Sequence, residues 1–200
     1  MTDLYVDAPP LLVTAQRRDA FAAQWEELRE GGSWSLATPK HEFFRWLVDS
    51  CDVLLHGSNR RHVPVFEPRA QTNYADEPTH AVFATSDGIW PIYFAIANRR
   101  VVTSLINDCI HDGESARYFF SVATDPEGID PWTGGVVYVL PRERFTVSHG
   151  SAEWTSPTAV RPLAKLAVGP DDFPFIDVVH RHARGESEPE LHARLRARSA

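Results

Sequence analysis

The chain lacks most of the features that mark membrane, secreted or disulfide-built proteins. It has only two cysteines, Cys51 and Cys109, which lie far apart and so predict neither a disulfide framework nor a CxxC metal site. Its apolar runs are shorter than the roughly 20 residues of a membrane helix. Residues 1–19 have no basic start, long apolar stretch or small-residue cleavage site of a signal peptide. We therefore expect a cytoplasmic protein without a membrane partner.

The chain also lacks a basic balance. It carries 20 Lys and Arg against 27 Asp and Glu, a formal net charge of −7. This charge argues against a nucleic-acid partner held by phosphate contacts, although a local basic patch would still permit one. The hydrophobic fraction of 43% and the length of 200 residues are typical of one globular domain with short appendages.

Several familiar site motifs are missing. The sequence has no GxGxxG, no GxxxxGK[ST] and no GxSxG, so dinucleotide-fold, P-loop and α/β-hydrolase sites are not predicted. Three histidines near the end, His180, His182 and His192, have neither an HExxH pattern nor cysteine partners. We interpret them as solvated surface residues, and no metal is expected.

The hydrophobic pattern predicts helices first and mostly strands afterwards. One helix is expected from Asp19, its N-cap, to the glycines at 31–32, and a second is opened by Thr38 before Pro39. A third follows residues 85–87, and residues 59–80 read as a long polar loop. The expected strands cover residues 51–55, 81–84, 101–106, 118–122, 135–140, 144–147, 153–154 and 163–168.

This order of elements predicts an α+β fold rather than a doubly wound sheet. We divide the chain into a helical lead-in packed on the core (residues 1–50), an α+β core of catalytic type (51–178) and a charged tail (179–200).

Three segments remain as candidates for chemistry. His56-Gly57-Ser58 closes a hydrophobic strand, Val82-Phe83-Ala84 precedes the helix that carries Tyr93, and Glu153-Trp154 comes before a further apolar stretch. Each has a plain structural interpretation: a hydrogen-bonded histidine at a strand end, a core strand and a solvated glutamate.

In this order, however, the segments resemble the catalytic core of the diphtheria-toxin-like ADP-ribosyltransferases, which include the poly(ADP-ribose) polymerases. The resemblance spans residues 52–168. Its matches are His56-Gly57-Ser58 to an H-G-[ST] strand, Val82-Phe83-Ala84 to [IV]-Y-F-A, Tyr93 to a second tyrosine, Glu153-Trp154 to a closing E-[YW], and Arg69 to a basic residue after the first strand.

The resemblance implies a split, mainly antiparallel sheet that clamps NAD in one open cleft. His56 would hydrogen-bond the adenosine ribose, and the backbone of Gly57, with the Ser58 hydroxyl, would hold the nicotinamide carboxamide. Tyr93 would stack on the nicotinamide ring, and Glu153 would bind the 2′-hydroxyl of the nicotinamide ribose.

The chemistry explains why a carboxylate is needed. Loss of a pyridinium leaving group creates an oxocarbenium-like ribose, as in glycosidases. A fixed carboxylate stabilises this cation by roughly 3–4 kcal/mol and acts as general base toward an incoming nucleophile.

Two departures from the family pattern limit what is carried over. Val82 stands where the family has a tyrosine, so Phe83 or Trp90 has to supply that stacking wall. Ser151, two residues before Glu153, is not acidic, so the arginine-modifying E-x-E variant is not indicated and the acceptor stays open.

Three alternatives also stay open. The first is a catalytically silent relative that serves as a binding or interaction domain. The second is an NAD-consuming RNA 2′-phosphotransferase that uses Arg60, Arg61 and Arg69. The third is an unrelated domain in which His56 and Glu153 lie far apart.

Overall fold

The computed structural model of the chain describes residues 4–73, 77–112, 115–147 and 152–198. Its helices are α1 (Ala15–Arg29), α2 (Lys40–Ser50), α3 (Trp90–Ile96) and α4 (Glu188–Arg198). Its strands are β1 (Val6–Asp7), β2 (Val53–Ser58), β3 (Arg69–Thr72), β4 (Pro78–Thr85), β5 (Val102–Asp112), β6 (Ser115–Thr124), β7 (Gly135–Pro141), β8 (Thr146–Val147), β9 (Glu153–Ser156), β10 (Ala164–Val168) and β11 (His180–Arg181). The α+β class is confirmed, and the strand pairs are antiparallel except for β6 with β11.

The chain forms two compact units. The terminal unit comprises Met1–Leu11, Ala97–Trp132 and Phe175–Ala200, and the main unit comprises Leu12–Ile96 and Thr133–Pro174. Both ends of the chain therefore fold with an internal segment, a division that local sequence patterns do not show.

The terminal unit is organised around strand β6. β5 pairs along one edge of β6, while β1 and β11 pair with successive parts of the other edge. Helix α4 contributes the fully buried Leu191 to a small core with Leu4 and Phe119. The charged tail therefore contains a helix that packs on this sheet.

The histidines of this segment are not solvated either. His182 is only 5% exposed and shares a hydrogen bond of 2.8 Å with the Ser121 hydroxyl. His180 stacks on Phe119 at 5.2 Å, and His192 meets the same ring edge-on at 4.4 Å. The prediction of solvated side chains is therefore wrong. The buried Phe119 ring of β6 packs against two of the imidazoles, and Ser121 of the same strand bonds the third.

The main unit contains a sheet in the order β10-β7-β2-β4-β9-β8, with β3 paired to β4. β7 is buried along nearly its whole length because both of its faces are covered. One face carries a core cluster of Leu54, Val63, Val82, Ala84, Val136, Tyr138, Leu140, Phe145 and Val160. Helix α3 packs against β2 and β7.

Capping residues decide where the helices begin. α1 starts after Thr14, whose hydroxyl accepts the Arg17 amide at 3.2 Å, so the predicted N-cap at Asp19 is wrong. α2 follows Pro39, and the hydroxyl of the predicted cap Thr38 is buried without a hydrogen-bond partner. Asp87 does cap α3: its carboxylate accepts the amides of residues 89 and 90 at 2.6 and 2.8 Å.

The predicted loop at 59–80 contains strand β3. Its four residues, Arg-Ala-Gln-Thr, are all exposed on an edge, so they carry no hydrophobic alternation that a sequence pattern would detect. Among the described residues, no helix is long and apolar enough to span a bilayer.

Candidate functional site

The sheet of the main unit opens between β2 and β4. These two strands share a single register pair, Leu55 with Thr85, although residues 53–58 and 78–85 are all described. Beyond this pair, β2 continues to pair with β7 as far as Ser58, and β4 continues to pair with β9. The ladder between β2 and β4 is therefore interrupted beyond Leu55, and we call this interruption the β2–β4 opening.

His56 bridges this opening. Its Nδ1 lies 2.7 Å from the carbonyl oxygen of Phe83 on β4. Because a carbonyl can only accept, Nδ1 carries a proton and donates it. Burial lowers the pKa of His56; the Phe83 bond acts in the opposite direction, and the charge of Arg69 lowers the pKa further. The neutral ring therefore has an unprotonated Nε2, which can accept a hydrogen bond.

An aromatic neighbour that the sequence analysis missed fixes the His56 ring. Phe66 lies with its centroid 4.6 Å from the imidazole and 5.0 Å from the ring of Tyr138. It is held there by an isolated bridge to Val160. Only tertiary pairing reveals this neighbour, since Phe66 belongs to the segment predicted as a polar loop.

Gly57 and Ser58 follow on the same strand. A Cβ atom at Gly57 would overlap the carbonyl of Pro91, so the backbone of α3 rests directly on β2 at this point. The Ser58 hydroxyl is half-buried and accepts the Arg60 amide at 3.1 Å, which leaves its own proton available to a ligand. Both residues lie on the part of β2 that pairs with β7 but no longer with β4.

Glu153 lies on β9, which pairs with the edge of β4 that faces away from β2. It is the β9 partner of Thr85, whose hydroxyl and neighbouring amide bond the carbonyl of Ala152 at 2.8 and 3.0 Å. The next residue, Trp154, packs on the core cluster, donates its indole N–H to Ser86 at 3.2 Å and lies under the Arg142 guanidinium. These contacts fix the first residues of strand β9 and hence the backbone from which the Glu153 carboxylate projects.

The two key side chains emerge from opposite faces of the sheet. Register partners share a face, so Glu153 projects on the side of Thr85 and Leu55. His56 comes one residue after Leu55 and projects on the side of Tyr138, its own register partner. The structure thus separates the two residues by strand β4, and their side chains lie on opposite faces of the sheet.

No family model, curated protein or solved structure matches the chain.

The predicted stacking role of Tyr93 does not fit its surroundings. Its side chain is fully buried and stacks on Phe173 with centroids 5.6 Å apart, so neither face of the ring is open to a nicotinamide. Trp90 is also buried. Phe83 is half-buried and projects on the same face as Glu153, which makes it the aromatic side chain best placed for stacking.

The basic residues lie around the opening rather than in it. Arg69 is exposed on β3 opposite Ala81, and its charge acts on His56. Arg60 and Arg61 are exposed in the segment after β2. Ser151 lies outside the described residues. Within the described part of the chain, no group of three or more His, Cys, Asp or Glu side chains is placed to hold a metal ion.

Proposed function

We propose that the chain is an NAD-dependent ADP-ribosyltransferase whose NAD site is the β2–β4 opening. The observation that carries this proposal is the single pair between Leu55 and Thr85, beyond which the ladder is interrupted, with His56 on β2 and Glu153 on β9, across β4 and on the opposite face. A split sheet is what the resemblance implies. The acceptor of the ADP-ribosyl group is not identified by any residue of the site.

Each side chain has a defined part in the proposal. His56 accepts a ribose hydroxyl at Nε2, because its Nδ1 proton is used by Phe83. Gly57 and Ser58 offer backbone and hydroxyl groups to the carboxamide, and Phe83 replaces Tyr93 as the aromatic wall. Arg69, exposed beside the opening, provides positive charge for phosphates.

Glu153 provides the catalytic anion. NAD supplies a ribose carbon whose bond to the pyridinium nitrogen breaks, with the bonding electrons leaving on neutral nicotinamide. The carboxylate stabilises the positive charge that develops on the ribose and takes the proton of the nucleophile as it bonds to that carbon.

The test is release of nicotinamide from NAD by the purified chain, with NAD binding followed separately by calorimetry. We expect Glu153→Gln, which keeps the shape and removes the charge, to lower turnover by roughly 10²–10³-fold. Glu143→Gln is the matched control, because Glu143 is an exposed glutamate of the same unit outside the opening. Equal turnover in the two variants, or no NAD binding by the parent protein, would refute the proposal.

A second pair of variants separates ligand binding by His56 from its structural role. Asparagine at position 56 places an amide N–H near Nδ1 and keeps the bond to Phe83, but it lacks an atom at Nε2. Glutamine places its amide near Nε2 and loses the Phe83 bond. We expect His56→Asn to remain folded and to bind NAD roughly tenfold more weakly, the loss of about one hydrogen bond. Unchanged affinity in this variant would leave His56 a purely structural residue.

A silent binding domain is the second candidate, because the full burial of Tyr93 removes the most specific ring contact that the resemblance implies. It predicts NAD binding or scaffold function with no nicotinamide release from any variant. The RNA 2′-phosphotransferase alternative predicts that a 2′-phosphorylated oligonucleotide loses its phosphate only when NAD is present.

A further inference from the structure

The terminal unit contains a pocket of about 420 Å³ that the proposed NAD site does not use. Its wall combines the end of β6, the residues that follow β11 and one side of α4. The charged and ionisable side chains that matter for its chemistry are His182, Arg181, Arg194, Arg198, Glu186 and Glu127. All of them belong to the terminal unit.

His182 is the unusual member of this wall. It is 95% buried, and Ser121 holds its Nδ1 at 2.8 Å, yet Nε2 is buried without a hydrogen-bond partner. A buried imidazole nitrogen that bonds neither protein nor solvent is unfavourable. Because His182 lines the pocket, a ligand there is the natural partner for Nε2.

Of the three arginines, one is held by several hydrogen bonds within the protein, and the other two have guanidinium nitrogens that can bind a ligand. Arg194 is tied to both oxygens of Glu186 at 2.7 and 2.9 Å and also to the Arg181 carbonyl at 2.9 Å. This pairing holds the pKa of Glu186 at about 2, so the carboxylate stays charged and stays with Arg194. Arg181 uses one nitrogen for the Ile129 carbonyl at 3.2 Å, and the Arg198 guanidinium makes no hydrogen bond to any residue that the structure describes.

We propose that this pocket binds the phosphate group of a small organic phosphate, with Arg181, Arg198 and Nε2 of His182 as donors. Two guanidinium groups and an imidazole offer more donors than the two oxygens of a carboxylate use, and they match a tetrahedral dianion. The volume lies within the range of small-molecule sites and exceeds what a bare ion fills. This site is independent of the proposed NAD chemistry.

The charges of the lining support an anion rather than a cation. Three arginines face two glutamates, and one of these glutamates is neutralised by Arg194. Protonation of His182 on binding adds one further positive charge. The surplus is local, since the whole chain has a net charge of −7.

The test follows the His182 ring nitrogens by NMR in the full chain while glycerol 3-phosphate is added. Glycerol, inorganic phosphate and sodium chloride at the same ionic strength are titrated in parallel. We expect a saturable shift at Nε2 with glycerol 3-phosphate, a weaker saturable one with phosphate, and none with glycerol or chloride. Arg198→Gln should raise Kd about tenfold, as loss of one charge-assisted contact.

Arg196→Gln is the matched control, because Arg196 is an exposed arginine of the same helix that does not line the pocket. His182→Asn keeps a group near Ser121 and removes Nε2; in this variant the Arg198 resonance reports binding, and we expect a similar loss of affinity. A shift that is linear in concentration, or the same Kd in Arg198→Gln and Arg196→Gln, would overturn the proposal and leave only nonspecific screening by anions.

Discussion

Helix α3 rests on two glycines, and this contact allows a quantitative test of the fold around the proposed site. A Cβ atom at Gly57 would overlap the Pro91 carbonyl and reach within 3.0 Å of the Ala95 nitrogen. A Cβ atom at Gly135, on the neighbouring strand β7, would overlap the Ala95 carbonyl. Both obstacles are helix backbone rather than the end of a flexible side chain, so an alanine at either position has to displace the whole helix.

The expected cost follows from these two opposing effects. Forcing a methyl group into a packed interface costs about 1–3 kcal/mol, with backbone obstacles at the upper end. Alanine also restricts the unfolded chain, which offsets the loss by about 0.4–1 kcal/mol. We therefore expect Gly57→Ala and Gly135→Ala each to lower the free energy of unfolding by about 2 kcal/mol. Because one displacement of α3 relieves both overlaps, the double variant should lose less than the sum, with a coupling of at least about 0.5 kcal/mol.

Urea unfolding followed by tryptophan fluorescence suits this test, because five of the six tryptophans lie in the main unit. With an m-value of about 2 kcal/mol per molar, each single variant should shift the midpoint down by about 1 M. Gly169→Ala is the control, since a Cβ there meets nothing within 4 Å and its φ of −126° suits any residue. Strictly additive losses, or single variants as stable as the control, would show that α3 is not seated on these strands.

Two further predictions concern stability. Asp87→Ala should lower the free energy of unfolding by about 1–2 kcal/mol in the same assay, because the α3 amides of residues 89 and 90 lose their acceptor in a buried place; Asp87→Asn, which keeps an acceptor oxygen, should lose less. Burial lowers the pKa of both His56 and His182. At His182 the charge of Glu186 raises the pKa, and the charge of Arg194 lowers it less strongly. Both rings are neutral in the folded state, so their contribution is complete above about pH 6.5 and is lost as the pH falls below that value. Chemical unfolding between pH 7.5 and 5 should show this loss, and a variant with asparagine at both positions should show a smaller slope. The pKa of Glu186 is lowered from 4.5 to about 2. The contribution of its carboxylate to stability is therefore complete above about pH 4.5 and is lost as the pH falls from there toward 2.

The elements that can be predicted from the sequence are those whose own residues carry the signal. β7 is recognised because Val-Val-Tyr-Val-Leu is bounded by turn residues, and α3 because Asp87 precedes an apolar helix. β3 is missed because an exposed edge strand needs no apolar residue. The first helix is predicted to begin too late because Thr14, its actual N-cap, precedes the apolar stripe of the helix.

The site shows a different limit. The order of its segments along the chain does not determine on which face of the sheet each side chain lies. The face on which Glu153 projects depends on its register with Thr85, and register depends on pairing between distant segments. The burial of Tyr93 against Phe173 is likewise set by the packing of α3 on a segment 80 residues later. Neither contact has a local sequence pattern.

The role of His56 in the opening connects the fold to the proposed chemistry. In a continuous ladder, a backbone amide of β2 would satisfy the Phe83 carbonyl and draw β2 and β4 together. Here the imidazole takes that carbonyl instead, and Phe66 packs against the ring, so the two strands separate without leaving a buried acceptor unpaired. The same bond fixes the tautomer that leaves Nε2 as an acceptor at the gap. The structural role of His56 is therefore compatible with the proposed ligand contact, because the bond to Phe83 also leaves Nε2 as an acceptor.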